Sequence, residues 1–149
     1  MGTVWAVPAG DGEPRKIRGG NDIAVDPLGR DLLIALTEPA GVRLIRLPIS
    51  GGSEQVVPVL TALRLAPGDI LSGHAIGRDG RIAVRVAPTA TWFWPAAIFD
   101  PATGRVERIP GGDQADMLSS GWANDGRLVT LAQRIRGNLW RFRPETEAR

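Results

Sequence analysis

The 149-residue sequence predicts an all-β fold, and three observations lead to it. Nineteen glycines and twelve prolines break the apolar stretches into short runs, which favours many tight turns over long helices. Those runs have the length of strands, and a short phrase recurs between them at a nearly regular interval. With 43% hydrophobic and 23% charged residues, the chain also has enough apolar content to bury a core.

The recurring phrase is Val25-Asp26-Pro27-Leu28-Gly29-Arg30, then Ile76-Gly77-Arg78-Asp79-Gly80-Arg81, then Trp122-Ala123-Asn124-Asp125-Gly126-Arg127. An apolar run follows each copy, beginning at Leu32, Ile82 and Leu128. This is the pattern of a β-hairpin whose glycine supplies the positive φ of a tight turn. The glycines at 29, 80 and 126 are spaced close to the roughly 40 to 50 residues of a propeller blade.

A second phrase runs out of phase with the first: Val4-Trp5-Ala6-Val7-Pro8, Leu44-Ile45-Arg46-Leu47-Pro48, Ala97-Ile98-Phe99-Asp100-Pro101, and Leu139-Trp140-Arg141-Phe142. After the first three come a glycine turn and a further short strand, at 14–17, 54–57 and 105–109. With the strands of a repeat lettered a to d, the chain reads c-d, a-b-c-d, a-b-c-d, a-b-c, in pieces of roughly 1–19, 20–59, 70–110 and 118–144. The expectation is a partial β-propeller of about three four-stranded antiparallel blades. It forms a single segment over 1–149 that is part of a larger propeller, because rings close with four to eight blades.

The stretch from Trp122 to Leu131, followed by Asn138-Leu139-Trp140-Arg141-Phe142, resembles a blade of the TolB-type, WD-repeat-like propeller family. There, Trp-Ser-Pro-Asp-Gly opens the blade and a later strand ends in Asp or Pro before a Gly-Gly turn. The first copy departs from that pattern with Pro27-Leu28, and the second with Ile76 in place of Trp. The resemblance implies a bacterial, non-catalytic scaffold for protein–protein interaction or ligand sensing. Its alternative is an accessory propeller portion of a multidomain enzyme, since such propellers are attached to bacterial serine/threonine kinases and precede prolyl-oligopeptidase-type hydrolases.

Charge and composition exclude several classes. The isoelectric point of about 10.3 accompanies a net charge of only +2, because Lys16 is the sole lysine and Tyr and Cys are absent. Arginines alternate with acids, with no basic stripe for nucleic acid. Without cysteine there is no disulfide, thiolate metal site or Cys nucleophile. No apolar stretch reaches membrane-span length, and no leader pattern opens the sequence. A chain complete as written is therefore expected in the cytoplasm, and a piece of a longer one fits the periplasm or another extracytoplasmic compartment equally well.

In an up-and-down meander the a-b and c-d turns share one face, and the b-c and d-a connections share the other. The irregular segments 60–74, 87–95, 111–121 and 133–137 fall on the second face, where a rigid scaffold carries binding residues. Trp92, Phe93 and Trp94 suit either an aromatic anchor for a partner or packing between blades. His74, the sole histidine, is placed near the central channel, and Arg134 and Arg136 suit either an ordinary solvated hairpin or a contact with an anionic partner. Trp5, Trp122 and Trp140 read as packing residues, and Asp79 and Asp125, each before a glycine, as turn chemistry. Arg30, Arg81 and Arg127 read as solvated or hydrogen-bonding strand starts, with the turn carboxylates as candidate partners. A lone histidine, no calcium-loop spacing, no Gly-x-Ser-x-Gly elbow and no phosphate-cradling loop leave no catalytic residue, metal or cofactor expected. The expected partner is a protein, or a second copy that completes the ring.

Overall fold

The computed structural model describes residues 2–68, 70–111, 115–134 and 137. Among them the secondary structure is β throughout, in four antiparallel sheets that follow one another along the chain. The first pairs β1 (Gly2–Ala6) with β2 (Arg15–Gly20). In the second, β3 (Asp22–Val25), β4 (Asp31–Glu38), β5 (Gly41–Pro48) and β6 (Gln55–Val57) lie side by side. The third places β7 (Arg64–Leu65), β8 (Ile82–Ala87), β9 (Ala96–Asp100) and β10 (Arg105–Arg108) in the same order, and the fourth pairs β11 (Asp116–Trp122) with β12 (Leu128–Gln133). The expected strand at 139–142 lies outside the described residues.

Strand alternation explains the core. Successive side chains point to opposite faces, and β4 is apolar at every position from Leu32 to Leu36, as a strand covered on both sides must be. Leu32, Ile34 and Leu36 pack with Val4 of the first sheet, whereas Leu33 and Ala35 join Ile82, Val84, Val86 and Phe99 of the third. The second sheet is thus buried between its neighbours. Gly20 permits the closer of these approaches, since a Cβ there would lie 2.7 Å from Ile34 Cγ2 and 3.2 Å from Val4 Cγ2. Trp5 corrects an expectation: Val4 takes the inward position of β1, so the indole beside it turns outward and is 53% exposed instead of packing between repeats.

The segment 60–74 also differs from the expected irregular connection. Arg64 and Leu65 pair with Ala87 and Val86, and the Ala66 amide donates to Arg85 O at 2.9 Å. The chain then leaves the sheet and returns at Ala75, whose carbonyl accepts the Ala83 amide at 2.7 Å, before a bridge from Ile76 to Ile82. One strand is split by an excursion that buries Ile70 and Leu71 in the core. The excursion is tied on two sides: the Ile70 amide donates to Asp22 Oδ2 at 2.8 Å, and Ser72 Oγ donates to Ser120 O at 2.6 Å. Burial of two apolar side chains, the satisfied Ile70 amide and the Ser72 hydroxyl bond are what hold non-repetitive chain here.

Candidate functional site

The three copies of the repeated phrase form three turns, each with its glycine at positive φ (67° at Gly29, 82° at Gly80, 81° at Gly126). Each turn closes with a bond from that glycine to the carbonyl three residues back, at Asp26, Gly77 and Ala123. The second and third are near copies. Asp79 accepts the Arg81 amide at 3.1 Å and its Nε–H at 2.6 Å; Asp125 accepts the Arg127 amide at 3.1 Å and its Nε–H at 2.7 Å. The side-chain bond from the arginine is the main cause holding each carboxyl below the ordinary aspartate value. The first turn has Leu28 where these have Asp and is one residue longer. There Asp26 Oδ1 accepts the amides of Arg30 and Asp31 at 2.6 and 3.3 Å, and the candidate pairing of the Arg30 side chain with a turn carboxylate is not among the ion pairs of the described residues.

These turns converge on one cavity of about 670 Å³. Its walls are 25–27 from the first turn, 76–79 with Arg81 from the second, 122–126 from the third, and Gly73 with His74 from the excursion. Trp122 lies over the second turn: a Cβ on Gly77 would be 3.3 Å from the indole, and the Arg81 guanidinium sits 5.3 Å from the ring centroid. The Trp122 amide donates to His74 O at 3.0 Å, so the fourth sheet and the excursion are fixed to each other at the cavity wall. The Trp122 indole N–H is buried without an acceptor among the described residues.

Of the residues singled out by sequence, His74 is exposed on this cavity. The aromatic trio lies elsewhere. Turn 77–81 precedes β8 and the loop 88–95 follows it, so the two sit at opposite ends of that strand. Trp92 is 98% exposed. Phe93 and Trp94 are half-buried, and Trp94 is held by its amide on Asp116 Oδ1 at 2.8 Å, by its carbonyl on the Met117 amide at 3.1 Å, and by the Arg85 guanidinium 5.3 Å over its ring. Trp92 and Trp94 thus divide the two readings of the trio between them, one free and one packed. Arg134 is exposed just beyond β12, and Arg136 lies outside the described residues. His74 and the aromatic trio are not brought together. Among the described residues no three His, Cys, Asp or Glu side chains gather as a metal-binding group.

Sequence reasoning passed over Arg85, which is 5% exposed in the middle of β8 and donates to Gly68 O. Its signal was an arginine inside an otherwise apolar run, Ile82-Ala83-Val84-Arg85-Val86. No protein-family model, no curated protein and no solved structure matches the chain.

Proposed function

We propose that the chain is a run of β-propeller blades, TolB-type in sequence pattern, that works as a non-catalytic binding scaffold. The observation that carries this reading is the convergence of three turns of repeated sequence on one cavity, with sheets of two, four, four and two strands succeeding one another along the chain. The twelve strands among the described residues amount to three four-stranded blades, fewer than the four to eight that close a ring. The scaffold therefore takes a protein partner, or a second copy, where its sheets are incomplete. Two features support this. β1, which the repeat pattern makes the third strand of a blade whose first two strands are not in this chain, pairs along one side only among the described residues, and Val129 and Leu131 on β12 are 63% and 60% exposed. Unpaired, apolar strand edges are templates for another chain. On the opposite face from the cavity, Trp92 is the anchor for a partner, projected from a loop that Trp94 pins down.

Sedimentation equilibrium over a wide concentration range tests the reading. Association above the 15.9 kDa monomer is expected, with affinity reduced when Val129 and Leu131 are both replaced by Glu. A monodisperse monomer at every concentration contradicts it.

A further inference from the structure

Beside the three-turn cavity lies a second, of about 520 Å³, between the first turn, the second turn and β5. Three arginines from three separate pieces of chain line it: Arg30 at the end of the first turn, Arg46 on β5 and Arg78 in the second turn. The position of Arg46 follows from strand alternation. Val42, Leu44 and Arg46 share the face of β5 that packs toward the third sheet, with Leu44 in the core and Val42 against it. Arg46 is thus the residue at which that core ends and the pocket begins.

Among the described residues none of the three guanidinia has a protein partner. Ion pairs among the described residues join Arg18 to Glu54, Arg43 to Glu38, Arg81 to Asp79 and Arg127 to Asp125, and leave these three out. Nor does any of them make a side-chain hydrogen bond among the described residues. The acids in the same wall are Asp26, Asp31 and Asp79. Asp79 is neutralised by Arg81, and Asp26 already accepts two backbone amides through Oδ1. Three free guanidinia consequently face two carboxylates, an excess of positive charge with donor capacity to spare. Guanidinium forks match the planar or tetrahedral oxygens of carboxylate and phosphate, and such charge-assisted bonds are the strong ones.

We infer that the pocket formed by Arg30, Arg46 and Arg78 binds the oxyanion group, phosphate or carboxylate, of a small soluble ligand. The inference goes beyond the scaffold reading and does not need ring closure, because every wall of the pocket comes from two adjacent sheets of one chain.

The test is calorimetric titration of the full chain at low ionic strength with pyrophosphate and, separately, with citrate. Saturable binding of one equivalent is expected for at least one probe. Binding of pyrophosphate alone identifies a phosphoryl ligand, binding of citrate alone a carboxylate, and binding of both a general oxyanion site. Arg46→Gln and Arg78→Gln are each expected to weaken it roughly tenfold, the loss that one charge-assisted bond carries. Arg43→Gln, on the opposite face of β5 and already paired with Glu38, is expected to leave it unchanged. Arg30 and Arg78 are exposed turn residues, so Arg30→Gln and Arg78→Gln keep the test alive if Arg46→Gln unfolds. No saturable binding of either probe, or equal binding by wild type, Arg78→Gln and Arg30→Gln, overturns the proposal.

Discussion

Asp79 and Asp125 hold their own arginines two residues further on, and this local bond sets how they titrate. A carboxyl whose folded pKa lies below its ordinary 3.8 contributes stability above that value and loses it as pH falls through the lower folded value. NMR titration should therefore give both side chains midpoints below the ordinary one, and Arg127→Gln should return Asp125 toward it while leaving Asp79 in place. An unmoved Asp125 would contradict the assigned cause. The aromatic loop gives a second expectation. Trp92→Ala removes an indole that touches almost nothing and should change stability by less than about 0.5 kcal/mol. Trp94→Ala removes the ring stacked on Arg85 and should cost about 2 kcal/mol or more by urea unfolding. Equal effects would mean that the loop is not pinned at Trp94. The turn role of Asp79 and Asp125 was legible because Asp-Gly is local chemistry. The difference between Trp92 and Trp94 was not, since it depends on Asp116 and Arg85, which are far along the chain or hidden inside an apolar run.

At the scale of elements, the strands β4, β8 and β9 were readable because continuous apolar runs bounded by glycine turns have one economical arrangement, burial on both faces. The split of the strand that begins with β7 was not. Arg64-Leu65 is too short to show alternation, and only its pairing with Val86 and Ala87 across the sheet makes it a strand. Ser72→Ala, which frees the excursion from Ser120, should cost about 1 kcal/mol, the worth of one neutral hydrogen bond. Gly20→Ala probes the packing of the first sheet on the second. Its new methyl meets Ile34 at 2.7 Å in a site already closed by Val4, and overpacking of that kind costs roughly 1–3 kcal/mol. A neutral Gly20→Ala would mean that β2 does not approach β4 as described.

For the whole molecule, the sequence spacing led to strands grouped two, four, four and three. The described sheets hold two, four, four and two, with residues 139–142 outside them. The candidate site was less legible. The sequence directs attention to the irregular loops, whereas the three-turn cavity is walled largely by the repeated turns, with His74 contributed by the excursion. Repetition hid this, because a residue present in every copy reads as structural until three copies are seen facing one another. Arg46 and Arg78 were illegible for a different reason: neither recurs in every copy, and neither stands out until the sheets bring them to Arg30.

The convergence of the three turns is the central claim, and the absence of native cysteine makes it directly measurable with spin labels on introduced ones. Leu28, Arg78 and Asn124 are exposed members of the three turns and tolerate a label. Pulsed electron–electron distances for the three pairs should form a compact triangle, with the 28–124 separation well short of the sum of the 28–78 and 78–124 separations. A 28–124 distance equal to that sum would place the turns in a straight row, with no shared cavity, and would contradict the account.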